Sequence, residues 1–330
     1  MKKAAVLIFL FALVIIIIPA VVVIPFTQKA AQEQPQKKVS QTQNSAARHA
    51  LISVTVYRST EKRTDQVALN DYLIGVVGSE MPAKFRIEAL KAQAIAARTY
   101  IMARIIENPN VRVTDTVQNQ VYHSPEEFKK IWGKDYGWKM KKVKQAVAET
   151  NNQVVTYGGK LISPVFFSTS NGQTENAKDY WTTDVPYLKS VSSPWDKLSP
   201  KYKIEKTLRA ADVEQALGVS IGSNKGSLGK VIRKTATDHV ALYELGGKQF
   251  TGRQIREKLN LSSTDFQLTQ NGDTIKALTL GSGHDVGLSQ YGAEGMAREG
   301  KSAKQIITYF YQGTQISKMT VKKQGAIAKK

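Results

Sequence analysis

The chain has 330 residues, 42% of them hydrophobic, which is enough to build a sizeable core and argues against wholesale disorder. Its net charge of +20 indicates a surface drawn to anionic lipids or an acidic polymer, although a merely soluble basic surface would carry the same charge. No helix-turn-helix, zinc-finger or RNP-type motif is present, so we expect no nucleic acid partner. The chain has no cysteine, which excludes disulfides, a thiolate nucleophile and Cys-ligated zinc.

An uncharged run from Ala4 to Phe26 follows two lysines near the N-terminus and is long enough to cross a bilayer as a helix. Cleavable signal peptides have a shorter apolar core of about 7–15 residues, so we expect a retained signal anchor at 4–26. Residues 1–3 would then be cytoplasmic and everything after the anchor extracytoplasmic. Residues 27–50 are rich in glutamine and predict a flexible linker, and residues 318–330 form a basic tail.

Folded sequence begins at about residue 51 with alternating apolar residues that predict a strand. Pro82 favours the first turn of a helix, with Ser79 as a possible cap, and this helix is predicted to run to about Ile106. Further on, the sequence predicts two shorter helices and a hairpin, at Phe128 to Trp132, Val143 to Glu149, and Val154 to Tyr157 joined to Leu161 to Phe167.

The sequence becomes more polar from about Pro200 to Leu261, which indicates an inserted α/β subdomain at 200–261. Within it, a helix is predicted near Ala210 to Leu217. The core is expected at 51–199 and 262–317, resuming with a strand at Thr274 to Leu280 and ending in two helices. The predicted fold is therefore α+β, with helices and β-hairpins around one substrate groove, an inserted α/β subdomain and a single transmembrane helix in front.

Two short motifs set reactive side chains among small residues, GSEMP at Gly78 to Pro82 and GSGHDVGLSQYGA at Gly281 to Ala293. We interpret them as two walls of one extracytoplasmic cleft. Glu80 has two interpretations. An acid in the first turn of a helix can simply complement the helix dipole. Alternatively, its apolar neighbours raise its pKa, so that it holds a proton for a leaving group.

Other residues of these motifs are also ambiguous. Arg98 lies in an alanine-rich helix, where it is either a solvated residue or the partner of a carboxylate. His284 lies between glycines and is either a loop residue with a hydrogen-bonding role or part of the cleft. The histidines show no paired spacing, so we expect no metal and no cofactor. Ser289 does not lie in a nucleophile elbow.

These motifs resemble the stage II sporulation protein D family, within the wider group of amidase-enhancer proteins. The resemblance covers about residues 50 to 316. It rests on segments whose order and spacing agree with the family, namely DYLIGVVGSEMP (Asp71 to Pro82), LKAQAIAARTY (Leu90 to Tyr100), QVY (Gln120 to Tyr122), FFSTSNGQTENA (Phe166 to Ala177), VPYLKSV (Val185 to Val191), GSGHDVGLSQYGA and YFYQGTQI (Tyr309 to Ile316).

The resemblance implies a lytic transglycosylase with Glu80 as the catalytic acid. It also implies a set of substrate-binding residues, namely Arg98, Tyr187, Lys189, Gln120, Ser168, Asn171, His284 and Gln290. The sequence departs from the family pattern at Asp285, where glycine is usual, and at Leu288, where methionine is usual. Because Asp tolerates positive φ, we expect the turn to persist with a different local charge.

In biological terms, the resemblance implies an enzyme of the cell membrane, on the mother-cell side of the sporulation septum, that thins the wall during engulfment. It would cut the MurNAc-GlcNAc bond of peptidoglycan strands stripped of stem peptides and leave a 1,6-anhydro product. Its partners would be a sporulation amidase/endopeptidase and a membrane engulfment protein. Two alternatives remain, a non-catalytic glycan-binding activator of the amidase and an anchor that only positions a wall-remodelling complex.

Overall fold

The computed structural model describes residues 52–319. The predicted anchor at 4–26, the linker at 27–50 and nearly all of the basic tail lie outside the described residues. Among residues 52–319, no helix is long and apolar enough to cross a membrane. This part of the chain combines helices with several small sheets, which agrees with the predicted α+β class.

The strands are short and mostly antiparallel. In chain order they are β1 Ser53–Arg58, β2 Arg63–Ala68, β3 Arg112–Thr114, β4 Gln153–Tyr157, β5 Lys160–Leu161, β6 Phe166–Phe167, β7 Lys203–Arg209, β8 Asn224–Ser227, β9 Lys230–Lys234, β10 Val240–Leu245, β11 Lys248–Thr251, β12 Asp265–Gly272, β13 Thr274–Leu280, β14 Leu288–Ser289 and β15 Gln315–Lys318.

The helices lie mainly in the first and last thirds of the described chain. They are α1 Leu69–Glu80, α2 Ile87–Glu107, α3 Pro125–Trp132, α4 Tyr136–Glu149, α5 Ala177–Trp181, α6 Ala210–Leu217, α7 Gly252–Lys258, α8 Gln290–Arg298 and α9 Ala303–Phe310.

Helix α2 is the centre of the core. It contacts α1, α4, α8, α9 and strand β4. Its residues from Ala92 to Thr99 are all buried, so it is covered around nearly its whole circumference and not along a single amphipathic stripe. Its many alanines explain this arrangement, because a helix with small side chains lets several neighbours approach its backbone closely.

The predicted helix start at Pro82 is wrong. Residues Leu69 to Val77 already belong to α1, and that helix ends at Glu80. Met81 is extended, with φ −120° and ψ 140°, as expected for a residue immediately before proline. Pro82 therefore terminates a helix, and the next helix begins only at Ile87. As a result, Glu80 lies at the C-terminal end of a helix.

The inserted subdomain is larger than predicted. Strand β13 pairs with β7 along its full length, with Leu280 opposite Lys203, in a sheet ordered β7-β13-β12-β8. A second sheet is ordered β11-β10-β9. Both sheets share one apolar cluster, which includes Val213, Ile255 and Ile275. The insert therefore runs to Leu280, because β12 and β13 complete its sheet and do not resume the core.

Arg98, to which the resemblance assigns substrate binding, is fully buried in the core around α2. Its guanidinium group donates hydrogen bonds to the carbonyl oxygens of Thr150 at 2.7 Å, Val147 at 3.2 Å and Gln153 at 3.3 Å. Burial lowers the pKa of Arg98 to about 10, which still leaves it charged at neutral pH. Its role here is to satisfy carbonyl groups left free at the C-terminal end of α4.

We expect Arg98→Leu to lower the free energy of unfolding by about 2–4 kcal/mol, because two buried carbonyl groups and a partly buried one lose their donor. Urea denaturation measures this change. Arg104→Leu, on the same helix but partly exposed, is the matched control and should cost much less. An Arg98→Leu protein that is as stable as the wild type but no longer binds glycan would show that Arg98 binds substrate.

Candidate functional site

The two sequence motifs line the same cavity. A wide cavity of about 990 Å³ is lined by Glu80 from the first motif, by Gly283 and Gln290 from the second, and by Ser168. A narrow cavity of about 470 Å³ is lined by Glu80 together with Gln120 and His284. The cavities share several lining residues, including Phe166 and Phe167, so we treat them together as one groove.

A short pair of strands brings the second motif to the groove. Strand β6 pairs in parallel with β14, so that Phe166 lies opposite Leu288. The predicted long second strand of the hairpin is therefore divided, with β5 completing the hairpin and β6 serving the groove. Ser289 then caps α8 by accepting a hydrogen bond from the backbone N–H of Gly292 at 3.1 Å. This cap fixes the start of helix α8 at Gln290.

Glu80 lies at the groove in a half-buried environment. One carboxylate oxygen accepts a hydrogen bond from the backbone N–H of Val121 at 2.9 Å. Burial raises the pKa of Glu80, while hydrogen bonds from Val121 and Gln290 oppose that rise. The C-terminal end of a helix is also its negative end, so it further disfavours an ionised carboxylate. The interpretation of Glu80 as a first-turn acid that complements the helix dipole is therefore wrong.

An aromatic and apolar surface lies beside Glu80. The rings of Phe128 and Trp132 stack with their centroids 4.1 Å apart, and both line the wide cavity. Gly78 lets these rings pack against helix α1, since a Cβ there would lie 2.8 Å from the Phe128 ring. Val117 and Ile131, which also line this cavity, are 88% and 58% exposed. The groove therefore offers apolar surface next to its acid.

Asp285 shows how the second motif tolerates a residue other than glycine. Its φ is +60°, in the left-handed region, so the expectation that the turn persists is confirmed. Its side chain is fully buried, and one carboxylate oxygen contacts His239 Nε2 at 3.1 Å and the Ser263 hydroxyl at 3.1 Å. Both partners belong to the inserted subdomain. The Asp285 carboxyl group, which a glycine would lack, therefore connects the second motif to the insert.

His239 lies between two buried carboxylates. Its Nδ1 is 3.2 Å from Glu175, and its Nε2 contacts Asp285. Burial alone would lower the pKa of His239, but the hydrogen bonds and charges of Asp285 and Glu175 raise it to about 10. We therefore treat His239 as an imidazolium at neutral pH. No sequence motif indicates this role of His239, and the unusual Asp285 is the one signal that points to a buried partner.

His284 is packed among aromatic rings at the narrow cavity. Its ring centroid lies 5.2 Å from that of Trp181, 5.7 Å from Phe167 and 6.0 Å from Tyr180. Burial and the charge of Arg256 lower its pKa to about 4, so it is neutral at physiological pH. Its Nδ1 already accepts a hydrogen bond from the backbone N–H of Val286 at 3.2 Å, and the neutral ring adds no charge to the groove.

Two residues implied by the resemblance lie outside both cavities. The Tyr187 hydroxyl accepts a hydrogen bond from the backbone N–H of Ser163 at 3.0 Å. Lys189 forms an ion pair with Asp184 on the surface. Both residues belong to the segment that follows α5, and neither is among the residues that line the groove. Tyr187 nevertheless contacts Ser163, which lines the narrow cavity, so the roles of Tyr187 and Lys189 stay predictions.

Asn171 and Gln120 have structural contacts as well. The Asn171 amide donates to the Thr237 carbonyl at 2.9 Å and to the Asp265 carboxylate at 3.0 Å, which ties its loop to the insert and not to the groove. Gln120 accepts a hydrogen bond from the Tyr72 hydroxyl at 3.1 Å and is nearly fully buried at the edge of the narrow cavity. Of the implied substrate-binding set, Gln120, Ser168, His284 and Gln290 line the groove.

Basic residues of the insert also line the groove, although no sequence motif points to them. Arg256 lines both cavities, and Lys201 and Lys206 line the wide one. They lie in a polar segment with many lysines, and such a sequence is typical of an ordinary solvated surface. Within residues 52–319, no group of three or more His, Cys, Asp or Glu side chains is arranged to hold a metal ion.

Comparison with known proteins identifies a consistent set of relatives. The family described as Stage II sporulation protein matches residues 57–157. The chain is 46% identical to Stage II sporulation protein D of Bacillus subtilis (strain 168), over 96% of each chain. It is 43% identical to the protein of the same name from Bacillus amyloliquefaciens, also over 96% of each. Amidase enhancer of Bacillus subtilis (strain 168) is 26% identical, over 74% of this chain and 40% of that protein.

Glu80→Gln is expected to raise the free energy of unfolding at pH 8 by on the order of 1 kcal/mol, because folding no longer buries a carboxylate. Burial raises the pKa of Glu80, so the folded protein keeps this proton to a higher pH than the unfolded chain. The gain should therefore vanish below about pH 4, where glutamate is protonated in both states.

Urea denaturation at several pH values tests this expectation. Glu107→Gln is the matched control, since Glu107 also ends a helix but is exposed. It should change stability little at either extreme of pH. Equal effects in the two variants would assign the result to helix ends and not to burial.

The charged His239 predicts a second pH dependence. Its pKa is about 10 in the folded protein and about 6.5 in an unfolded chain, so its contribution is complete below pH 6.5 and is lost as the pH rises towards 10. We expect the free energy of unfolding to fall by at least about 1 kcal/mol over this range, and His239→Gln to remove that fall. Denaturation profiles, with His123→Gln as control, measure it. A flat wild-type profile would contradict a charged His239.

Proposed function

The chain belongs to the stage II sporulation protein D family, and on that premise we propose that it is a lytic transglycosylase of peptidoglycan. It cleaves the MurNAc-GlcNAc bond of glycan strands and leaves a 1,6-anhydro ring on MurNAc. One observation carries this proposal. Among the described residues that line the two cavities, Glu80 is the only carboxylic acid.

A single acid favours this reaction over ordinary hydrolysis. Most glycosidases need two carboxyl groups, one to protonate the leaving oxygen and one to activate water or to attack the sugar. A transglycosylase needs no water, because the C6 hydroxyl of MurNAc is the nucleophile. That hydroxyl is already part of the substrate, which gives it the large effective concentration of an intramolecular group.

Glu80 serves both proton transfers. Burial raises its pKa, so that the carboxyl group can hold a proton and donate it to the glycosidic oxygen as the bond to C1 breaks. The resulting carboxylate then accepts the proton of the C6 hydroxyl, whose oxygen attacks C1 and closes the anhydro ring. The acid is thereby restored at the end of each cycle.

The rest of the groove supplies contacts for sugar rings. Trp132, which stacks on the buried Phe128, offers apolar surface, and Gln290 and Ser168 offer polar groups beside the acid. This combination of aromatic surface and a few fixed polar groups is typical of small-molecule sites. Neutral His284, whose Nδ1 accepts from the Val286 N–H, adds ring surface at the narrow cavity.

The biological setting follows from the family and from the N-terminal sequence. We propose that residues 4–26 anchor the protein in the cell membrane, with the groove on the mother-cell side of the sporulation septum. There it thins the wall during engulfment, acting on strands that have lost their stem peptides. A sporulation amidase/endopeptidase supplies those strands, and a membrane engulfment protein localises the pair.

One observation favours a second candidate function. A relative that aligns with 74% of this chain is named Amidase enhancer. A protein of that kind would bind glycan in the groove and stimulate an amidase without cutting the strand itself. Glu80 would then have a structural role only, and its replacement would leave the amidase stimulation intact.

Glu80→Gln separates these functions. We expect it to reduce release of anhydro-muropeptides from denuded glycan by about 10²–10⁴-fold, the usual cost of losing a general acid. Mass spectrometry of the digest measures the product, with Glu107→Gln as a control that should retain wild-type activity. The activator would be favoured if wild-type protein releases no anhydro product and the wild-type and Glu80→Gln proteins stimulate the amidase equally.

A further inference from the structure

Positive charge lines the groove from the inserted subdomain. Lys201, Lys206 and Arg256 all line the wide cavity, and Arg256 lines the narrow one too. Within the described part of the chain, none of the three forms an ion pair with a carboxylate. Glu80 is the only acid in the same lining, so the groove has an excess of positive charge.

Arg256 is held in place by its neighbours. Its Nη1 donates to the Tyr180 hydroxyl at 3.0 Å, and its Nε donates to the Ser262 carbonyl at 3.3 Å. Among residues 52–319, its Nη2 group has no protein acceptor. The charge of Arg256 also reaches His284, whose pKa it helps to lower. Arg256 thus presents an oriented guanidinium with a free donor group to the groove.

Lys206 is fixed in a comparable way. Its ammonium group donates to the carbonyl oxygens of Leu259 and Asn260, both at 3.0 Å, just after helix α7. These two bonds hold the charge at the edge of the wide cavity and leave one donor hydrogen. Lys201 is more exposed and adds charge without such contacts. The three side chains therefore form a basic cluster with Arg256 as its most ordered member.

We propose that this basic cluster binds the free carboxylate of the lactyl group on MurNAc, with Arg256 as the residue that determines specificity. This inference rests on the proposed function and identifies the feature of the substrate that the groove reads. While a stem peptide is attached, the lactyl carboxyl group is part of an amide and carries no charge. Removing the peptide leaves a carboxylate, the group that a guanidinium binds best.

The position of this carboxylate on the sugar strengthens the assignment. The lactyl group belongs to MurNAc, the sugar whose C1 is attacked, and GlcNAc has none. Glu80 and Arg256 line both cavities, so a sugar that reaches the acid also lies within the region of the guanidinium. Binding the lactyl carboxylate would therefore place MurNAc, and not GlcNAc, at the acid. The reaction that frees this carboxylate must precede cleavage.

The test uses the full-length protein in detergent and three strands of equal length. One is denuded glycan with free lactyl carboxylates, one is the same glycan with these groups converted to methyl amides, and one is a chitin oligomer without lactyl groups. We expect wild-type protein to cleave and bind the free form about 10-fold better than the amide, the effect of one charge-assisted contact. Arg256→Gln should abolish that preference by weakening only the free form.

Arg209→Gln is the matched control, because it removes the same charge from an exposed position of the insert. It should keep the preference. If Arg256→Gln keeps it as well, the proposal is overturned while the transglycosylase function stands. If wild-type protein cleaves neither the free nor the amidated glycan, the proposed function fails. Calorimetric binding of these two strands then shows whether Arg256 recognises the free carboxylate. Equal wild-type binding of the free and amidated strands would overturn the proposal.

A third variant keeps the test decisive should Arg256→Gln fail to fold. Arg256→Lys retains the charge but loses the planar fork of donors. A reduced preference for the free carboxylate, with unchanged binding of the chitin oligomer, supports the proposal. An unchanged preference in this variant contradicts it.

Discussion

The contact between His239 and Asp285 is the interaction on which the site depends. It joins the inserted subdomain to the turn of the second motif, in a place where neither side chain reaches water. Glu175 holds the other ring nitrogen, so the imidazolium lies between two carboxylates. A buried ring with a partner on each nitrogen has few alternative arrangements, because each broken contact would leave a buried polar group without a partner. The insert is thereby fixed against the core, and Arg256 with it.

The acid of the groove depends on a different constraint. Met81 is forced into an extended conformation by the proline that follows, so α1 stops at Glu80. The carboxyl group is consequently placed at the negative end of a helix, half-buried and close to aromatic rings. Each of these conditions favours the protonated acid, and the hydrogen bond from Val121 limits the effect without removing it. Backbone geometry and burial therefore act in the same direction on one proton.

Local patterns predicted individual elements well and their assembly poorly. The helix at Ala210–Leu217 and the strand at Thr274–Leu280 have the bounds that their sequences indicate. Pro82 was misread because proline suits both the start of a helix and the position just after its end. The pairing of β13 with β7, and the burial of Arg98 against α4, depend on contacts distant in sequence. No periodicity or spacing encodes such contacts, so they required the folded chain.

The inserted subdomain enters and leaves the core side by side, since Lys203 and Leu280 are paired neighbours in one sheet. Paired strands lie about 4.8 Å apart, so a short turn could replace the whole insert without moving the strands and helices that hold Glu80. The insert is in this sense an exchangeable module that carries the charge of the groove. Evolution could alter which strands are accepted by changing this module, provided that Asp285 and Glu175 changed with it, because both carboxylates would otherwise be buried without His239.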